Sequence, residues 1–485
     1  MTNSNQMTQS VTHTKLTQNQ LLLWMGQQIN PEVPLYTMIH AYRIQGAIDP
    51  TAFEQAFQMV VSKSDTLRTI VVQSEGAPVQ ATRNSLDIQV EVVDLSAAED
   101  SEAAYQTWLD DRDKLIHKSA EKLFDTALIK LGETEWIWYL NQHHIITDAI
   151  ATGLVYQTTA EYYELAVDGK LAEAADLPQY ADFVAWEDEH RQSKRYLDAK
   201  AYWEEKVARP IEPITLYGKG MPTKISPSRR VPLHLGLERS EKLRALAEED
   251  GFASLSLDMS MFTVFATVLT TTLHRITGKN DIRIGTPYHG RPSAAFKQTI
   301  GVFIEIGLLD VNFEAGNSFA DVGEQILGET FTNMMQVQPG ISSSELNRAA
   351  NVVLNFVNGK SGKLGDLNVK TDWVHPGYID AHHAFRLQVT DFDQTGEYTL
   401  FFDVATSIFG PTEVNWLTDQ FLTVIDELIA DHNRPISDFS LLKGPEHQKL
   451  FVDFNDTDGD YPKEKTVLDL FADCLLYTSP SPRDS

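Results

Sequence analysis

The sequence lacks most of the features that would assign it to a specialised class of protein. It contains one cysteine, Cys474, in 485 residues, which excludes an intramolecular disulfide framework and a cysteine-based zinc finger. The N-terminus has no apolar segment of the kind that a signal peptide needs. The longest charge-free apolar stretch, 259–273, is too short to cross a bilayer and contains several threonines. We therefore predict no membrane segment and expect a cytoplasmic protein.

Basic residues are also scarce. The chain has 40 Lys and Arg against 68 Asp and Glu, a net charge of −28. This balance argues against a general nucleic-acid binder and against attraction to an anionic membrane, because both need a surplus of positive charge. No segment repeats at a spacing of 20 to 50 residues, which excludes solenoids and propellers. The hydrophobic fraction of 42% is that of a globular protein with sizeable cores.

A proline-rich segment divides the chain into two parts of similar layout. Residues 210–232 contain five prolines, which is typical of a linker. Strand and helix patterns alternate on both sides of it, so we predict an α/β (α+β) fold in two lobes. The N-terminal lobe is expected at 16–209 and the C-terminal lobe at 233–445, after a disordered tail at 1–15.

The C-terminal end does not match the rest of the chain. Residues 474–485, ending in SPSPRDS, interrupt an apolar helical pattern at 466–472. Their sequence resembles a translated sequencing adapter, so we exclude them from the fold. On this interpretation Cys474 is foreign and the natural chain continues past Asp473; the alternative is a genuine tail rich in proline and serine.

The segment with the clearest chemistry is 141–149, NQHHIITDA, at a predicted junction between a strand and a helix. Adjacent strand residues point to opposite faces, so His143 and His144 cannot bind one metal together and one of them faces the core. We predict no metal site. A histidine at a strand end, followed four residues later by Asp148, suits a general base on an oriented loop, because its pKa lies near neutrality. The alternative is a pair of structural histidines.

Further motifs appear along the chain in a fixed order. They are LTQNQ at 16–20, SDTLRT at 64–69, YADFVAW at 180–186, IGTP at 284–287, GR at 290–291 and IGVF at 300–303. Together with the HHxxxD segment they resemble the condensation domains of non-ribosomal peptide synthetases, over about residues 16–442. Within 446–473, the FNDT at 454–457 resembles the linker into an adenylation domain.

The resemblance implies a fold, an activity and partners. The fold would be a V-shaped pseudo-dimer similar to chloramphenicol acetyltransferase, with a tunnel between the lobes. Donor and acceptor peptidyl carrier proteins would bring their substrates into the tunnel on 4'-phosphopantetheine arms, and an amine would attack an acyl thioester to form an amide. The domain itself would bind no cofactor, and an adenylation domain would follow in the same chain.

The resemblance also implies roles for the motif residues. His144, preceded by His143, would accept a proton from the amine or position it, and positioning alone can supply much of a rate enhancement. Asp148 would be structural and paired with an arginine. The candidates are Arg291 and Arg283, of which Arg291 is preferred because it lies in the matched GR motif.

Two residues depart from the family pattern at positions expected to meet substrate. Ala149 follows the aspartate where glycine is usual. A backbone N–H at that point could hold the thioester oxygen, and glycine would allow a closer approach. Glu305 stands where asparagine and threonine are usual nearby; it either faces the tunnel and selects a substrate or is solvated.

Other patterns favour structural interpretations. A second histidine pair at 381–384 has no aspartate at the matching step, and the acidic stretch 453–460 lacks the spacing of a calcium-binding loop. The glycines of 359–365 lack the context of a phosphate-binding loop, and the basic residues of 191–200 either contact an acidic carrier or are solvated. Two alternative functions stay open: a stand-alone acyltransferase using a free amine, an alcohol or acyl-CoA, and a non-catalytic carrier-docking domain.

Overall fold

The computed structural model describes residues 11–357, 362–442, 444–460 and 462–478. Parts of three sequence predictions lie outside these residues. They are residues 1–10 of the predicted tail, 359–361 of the glycine-containing loop and 479–485 of the predicted adapter sequence.

Fifteen strands and thirteen α-helices make up the described chain. The strands are β1 (Val11–Lys15), β2 (Thr37–Gln45), β3 (Thr69–Ser74), β4 (Ala77–Arg83), β5 (Glu91–Asp94), β6 (Phe124–Gly132), β7 (Glu135–His143), β8 (Ser226–His234), β9 (Asp281–His289), β10 (Ile304–Asn312), β11 (Val352–Val357), β12 (Asn368–Val374), β13 (Tyr378–Ile379), β14 (Phe385–Thr390) and β15 (Thr399–Ala405). The helices are α1 (Gln18–Ile29), α2 (Pro50–Lys63), α3 (Ser101–Arg112), α4 (Ala149–Val167), α5 (Tyr180–His190), α6 (Lys194–Ala208), α7 (Gly236–Leu246), α8 (Leu257–Thr277), α9 (Phe319–Gln336), α10 (Ser344–Arg348), α11 (Pro411–Ala430), α12 (Gly444–Phe451) and α13 (Val467–Thr478).

The N-terminal half is built on a five-stranded sheet of order β12-β2-β7-β6-β5. Its central strand β7 is apolar on both faces. Trp136, Trp138 and Leu140 pack in one core with residues of α2 and α4, whereas Ile137 and Tyr139 pack in another with residues of α3. Helices therefore cover both faces, which is why β7 has a continuous apolar run rather than a polar alternation.

The C-terminal half is built on a seven-stranded sheet of order β10-β9-β11-β14-β15-β8-β13. Helix α8 is its main core helix, and residues 263–273 within it are all buried. Several buried threonines of α8 satisfy their hydroxyl groups on backbone carbonyls of the preceding turn, as Thr267 does on Thr263. The apolar stretch at 259–273 is thus a core helix, and no helix in the described part of the chain is long and apolar enough to cross a membrane.

Strand β12 connects the two halves. It lies between strands of the C-terminal half in sequence, yet it pairs antiparallel with β2 of the N-terminal sheet, with Trp373 opposite His40. Arg230 of β8 donates to the Trp373 carbonyl at 2.6 Å and forms a buried ion pair with Asp403 of β15. The crossing strand is therefore fixed to both sheets, and the sequence patterns did not predict it.

Two predicted boundaries need correction. Residues 11–15 were expected in a disordered tail, but they form β1, which pairs with β4; the polar composition hid a strand whose side chains are mostly exposed. The predicted linker 210–232 overlaps β8, which begins at Ser226. The sequence pattern predicts a strand only near 231–237. The prolines concealed its start, because proline removes a donor from a β-ladder and usually argues against a strand.

The described chain forms two compact units. The first ends at Phe439 and contains all three sheets, the third being a small sheet of order β1-β4-β3. The second begins at Ser440. The end of the C-terminal lobe was predicted at residue 445, six residues later. The second unit contains α12 and α13, and α13 extends through Cys474, beyond the helix end that the apolar pattern predicted.

Candidate active site

The HHxxxD segment lies where β7 meets α4. The strand ends at His143, a single 3-10 turn covers His144 to Ile146, and Asp148 is the N-cap of α4. The Asp148 carboxylate accepts a hydrogen bond from the Ala151 N–H at 2.7 Å, which satisfies one of the free donors at the helix start. The aspartate of the motif therefore has a local structural role before any tertiary contact is considered.

His143 stabilises the turn. It is buried, and its Nδ1 accepts a hydrogen bond from the Ile145 N–H at 3.0 Å. Burial lowers its pKa to about 3. The ring is thus neutral with Nδ1 already occupied by the backbone, so in this geometry His143 orients the loop rather than acting as a base.

His144 is the partly exposed member of the pair. Its backbone N–H donates to the Tyr36 carbonyl at 2.6 Å, which fixes the start of the turn against the start of β2. Burial lowers the pKa of the imidazole, and the nearby negative charge of Asp148 opposes that shift. A neutral imidazole with partial exposure can accept a proton or a hydrogen bond from an incoming group.

Asp148 is held by Arg291 from the C-terminal half. Nη1 donates to Oδ2 at 3.0 Å and Nη2 to Oδ1 at 3.2 Å, and Oδ2 also accepts the Phe303 N–H at 2.9 Å. Burial alone would raise the pKa of Asp148, but the charge and hydrogen bonds of Arg291 and the backbone donors hold it below its ordinary value. The carboxylate is therefore ionised and bound on both oxygens.

Arg291, not Arg283, is the partner of Asp148. Arg283 instead pairs with Asp310 across β9 and β10, at 2.6 and 2.7 Å. The Arg291 guanidinium lies 4.3 Å from the centre of the Phe303 ring. Gly290 permits this arrangement, because a Cβ at that position would lie 2.2 Å from the Phe303 carbonyl oxygen. These contacts explain why the GR and IGVF segments occur together.

The other motifs pack around the same region. Asp65 of the SDTLRT segment accepts the backbone N–H groups of Tyr180 and Ala181 at 2.9 and 2.8 Å. The Tyr180 hydroxyl donates to the Val302 carbonyl at 2.7 Å. In the LTQNQ segment, Gln20 donates to the Ile145 carbonyl at 3.1 Å. Segments distant in sequence thus support the loop that carries His144 and Asp148.

Ala149 is the first residue of α4 and is partly exposed. Its N–H belongs to the first helical turn, whose amides have no partner within the helix. Such an amide can bind an oxygen with developing negative charge.

Glu305 was expected either to face the tunnel and select a substrate or to be solvated, and its environment matches neither expectation well. It is buried, so the solvated alternative is wrong. Its Oε1 accepts the Asn19 amide at 2.9 Å and the Gly340 N–H at 2.6 Å, and its Oε2 accepts the Ser342 N–H and hydroxyl at 2.9 and 2.7 Å. Burial raises its pKa to about 8. The carboxyl group is directed at protein donors, and it ties the start of α1 to the C-terminal half.

Sequence patterns did not indicate Tyr36 as a neighbour of His144. Tyr36 contacts His144 through its backbone, because its carbonyl accepts the His144 N–H. After the larger effect of burial, the positive charge of Arg386 also lowers the pKa of His144. Among the described residues, no cluster of three or more His, Cys, Asp or Glu is placed to hold a metal ion.

The fold and the HHxxxD loop together define the class of chloramphenicol acetyltransferase-like proteins. Two of the solved structures that match the chain each align with 89% of it. One is the starter condensation domain of rhizomide synthetase RzmA, with 22% identity, a TM-score of 0.73 and 100% of that chain covered. The other is the first condensation domain of the calcium-dependent antibiotic synthetase in complex with a substrate analogue, with 23% identity, a TM-score of 0.76 and 99% covered.

The family described as "Condensation domain" matches residues 10–451, so the chain belongs to the condensation-domain family. A linear gramicidin synthase chain of Brevibacillus parabrevis is 25% identical over 93% of this chain and 6% of its own length. Tyrocidine synthase 3 of the same organism is 23% identical over 93% of this chain and 7% of its own length. The predicted resemblance to condensation domains of peptide synthetases is confirmed. The chain spans only a small part of the curated relatives it matches.

Proposed function

We propose that this domain catalyses amide-bond formation between an acyl thioester and an amine. The observation that carries the proposal is the position of His144. It is neutral and partly exposed, on a turn held by the Tyr36 carbonyl and by the buried pair of Asp148 and Arg291. A base or positioning group needs this combination of access and restraint.

The step balances without a redox partner or a metal. The amine nitrogen bonds to the carbonyl carbon, the carbon–sulfur bond breaks, nitrogen loses a proton and the sulfur leaves as a thiol after taking one up. His144 accepts the proton or hydrogen-bonds the amine so that its lone pair faces the carbonyl. The N–H of Ala149, at the start of α4, stabilises the oxygen of the tetrahedral intermediate.

The substrates arrive on other proteins. Donor and acceptor peptidyl carrier proteins present them on 4'-phosphopantetheine arms in a tunnel between two lobes, and the domain binds no cofactor of its own. An adenylation domain follows in the natural chain, and the protein is cytoplasmic. The curated relatives support this proposal, since each is a synthase of which the matching region is a small part.

The test is a condensation assay with a loaded donor carrier and a loaded acceptor carrier. We expect wild type to form the amide and His144→Ala to lose it while unfolding at the same temperature. The matched control is His234→Ala, an exposed histidine on β8, which should keep full activity. Unchanged amide formation by His144→Ala would remove this residue from the mechanism.

The alternative acyltransferase function has one specific observation behind it. A variant of the rhizomide starter domain has been crystallised with C8-CoA and Leu-SNAC, which are not bound to carrier proteins. In the same assay, an acyl-CoA can replace the donor carrier and a free amine can replace the acceptor. Turnover with both replacements and none with carriers would favour the acyltransferase. Carrier binding without turnover of any substrate would favour the docking domain.

A further inference from the structure

The buried carboxylate of Glu305 accepts hydrogen bonds from α1 and from segment 338–342. Asn19 and the Gly340 N–H donate to Oε1 at 2.9 and 2.6 Å, and the N–H and hydroxyl of Ser342 donate to Oε2 at 2.9 and 2.7 Å. The amide nitrogens among these partners can only donate. A protonated carboxyl group would have to donate from one of its oxygens, so this set of partners fits the ionised form.

One of these donors, Asn19, also fixes the backbone next to Asp148. Its Nδ2 donates to the Ile304 carbonyl at 2.6 Å as well as to Glu305. The preceding residue, Phe303, donates its N–H to the Asp148 carboxylate at 2.9 Å. Glu305 and Asn19 therefore hold the short stretch of backbone that supplies a donor to Asp148.

Helix α1 links Glu305 to the turn that carries His144. Gln20 follows Asn19 in α1, and its Nε2 donates to the Ile145 carbonyl at 3.1 Å. Ile145 follows His144 in the 3-10 turn. A displacement of α1 relative to β10 would therefore be transmitted to this turn.

The side chain of Glu305 also packs beside the strand that leads to Arg291. Glu305 pairs with Tyr288 in the register of β10 and β9. A Cβ on Gly290 would lie 3.3 Å from Cγ of Glu305. The next residue, Arg291, donates to Asp148 at 3.0 and 3.2 Å. The backbone that supplies the guanidinium thus lies against Glu305 as well.

A second buried carboxyl group, that of Glu187 on α5, lies next to the first. Its Oε2 accepts the N–H of Gln18, the residue before Asn19, at 3.1 Å. Gly340, whose N–H binds Glu305, is so close that a Cβ on it would lie 3.1 Å from Oε1 of Glu187. Two like charges at such a site oppose each other's ionisation. Burial raises the pKa of Glu305 to about 8 and that of Glu187 to about 7, and the charge of Glu187 also raises the pKa of Glu305.

Few other titratable or charged groups lie on the elements packed around this pair. Helix α1 and segment 338–342 contain none. Helices α5 and α6, the residue that caps α5, and β9 contribute Asp188, His190, Arg191, Tyr196, Tyr288 and His289. Burial lowers the pKa of both histidines and raises that of Tyr288. Glu187 is therefore the neighbour whose charge acts on Glu305.

We propose that Glu305 is a positioning residue for the candidate reaction, and that its ionised carboxylate holds α1, β10 and segment 338–342 together so that the turn carrying His144 keeps its geometry. The inference rests on the proposed condensation activity and adds a dependence of its rate on pH. When Glu305 is protonated, one oxygen has to donate, and a donor that faces it loses its acceptor. A small displacement of a positioning group lowers a rate substantially. The charge of Glu187 sets the pH at which this change occurs.

The test compares kcat of wild type and Glu305→Gln across pH in the assay with loaded carriers. Glutamine has the shape of the protonated carboxyl group and no charge, so it mimics the protonated state. We expect the ratio of wild-type to variant kcat to be about one at about pH 6 and to rise to about ten at about pH 9, the effect of about one lost hydrogen bond. KM for both carriers should be unchanged. Ionisation of the substrate amine affects both proteins equally and cancels in the ratio.

A ratio of kcat that does not change with pH, or a change confined to KM, would overturn the proposal. The matched control is Glu241→Gln, at an exposed position of α7, which should give a ratio of about one at every pH because its carboxylate is solvated.

A second variant tests the coupling of the two carboxyl groups. Glu187→Gln removes the charge that opposes ionisation of Glu305, so the rise in kcat should move to lower pH. Its kcat should exceed that of wild type between about pH 7 and 8 and equal it at both ends of the range. This variant keeps the inference testable if Glu305→Gln does not fold. A rise at the same pH as in wild type would overturn the inference.

Failure of the condensation activity can be separated from failure of this inference. Nuclear magnetic resonance of protein with 13C-labelled histidine rings follows the His144 signal without turnover, and His144→Ala assigns that signal. Burial lowers the pKa of His144, so its own titration lies below this range of pH. A change of the His144 signal at the ionisation of Glu305, absent from Glu305→Gln, would support the positioning role even in a domain that forms no amide. The same pH course in both proteins would overturn it.

Discussion

The carboxylate of Asp148 and the guanidinium of Arg291 are 143 residues apart in sequence and form a two-point ion pair at 3.0 and 3.2 Å, with the side chains 3% and 5% exposed. One comes from the HHxxxD loop of the N-terminal half and the other follows β9 of the C-terminal half. The pair therefore joins the candidate active-site loop to the second sheet, so the loop's geometry depends on both halves.

Breaking this pair should destabilise the protein strongly. Arg291→Ala leaves a buried carboxylate without its counter-charge, which costs about 3–5 kcal/mol in comparable cases. Urea unfolding of the wild type and of Arg291→Ala measures this loss as a difference in the free energy of unfolding. The control is Arg239→Ala, whose pair with Asp426 is half exposed and should cost no more than about 1 kcal/mol. Equal losses for the two variants would mean that the buried pair stabilises the protein no more than the half-exposed pair does.

Glycine at position 149 should raise the condensation rate or leave it unchanged. Ala149→Gly removes a methyl group at the start of α4 and lets the backbone N–H approach the thioester oxygen more closely. It should also lower the free energy of unfolding by up to about 1 kcal/mol, the cost of glycine in a helix. Ala103→Gly, at an exposed position of α3, should show the stability loss without a rate effect. A slower Ala149→Gly enzyme would contradict the expected role of the N–H.

Glu305 should make the protein less stable as the pH rises. Its pKa is raised from 4.5 to about 8 in the folded state. Between those values the folded state binds a proton that the unfolded state has lost, so the unfolding free energy falls by about 1.4 kcal/mol per pH unit from this group. Glu305→Gln should flatten that part of the slope in urea titrations between about pH 5 and 8.

Another buried carboxyl contributes to the same window. Burial raises the pKa of Glu187 to about 7, so the slope of Glu305→Gln should be reduced rather than abolished. The matched control is Glu241→Gln, at an exposed position of α7, which should keep the wild-type slope. A slope that is identical in wild type and Glu305→Gln would show that Glu305 is ionised throughout.

Substitution of Trp373 should destabilise the protein more than substitution of any other residue of the crossing strand β12. The guanidinium of Arg230 lies 4.6 Å from the centre of its ring, and the His40 ring stacks at 6.1 Å. Trp373→Ala removes these contacts and should cost about 2–4 kcal/mol of unfolding free energy. Trp416→Ala, on the more exposed side of α11, is the control and should cost clearly less. Similar losses would argue that β12 contributes little to joining the sheets.

Some features of the site were predictable because their signals are local. The apolar run of β7, the short turn after it and the capping Asp148 lie within about fifteen residues, and each reflects a backbone or packing preference of its own segment. The long apolar pattern of α8 is another case, since its length and composition favour a buried helix. The order of the motifs then indicated the family.

Other features could not be predicted correctly from the sequence, and the reason is identifiable. The prolines of β8 and the polar residues of β1 are compatible with loops in isolation, and only pairing with β15 and β4 makes them strands. Strand β12 has alternating polarity but no local signal for the sheet that it joins. Glu305 was expected to meet solvent or substrate, because nothing near it in sequence shows that Asn19 and Ser342 supply its hydrogen bonds.

Short-range patterns of polarity and capping were enough to establish the family and the strand–turn–helix unit that presents His144. Two further features depend on packing between distant segments: Arg291 rather than Arg283 meets Asp148, and β12 crosses to the other sheet. Each of them brings together surfaces that are formed by residues far apart in the chain. No local preference encodes such a pairing, because it exists only once both halves have folded and packed.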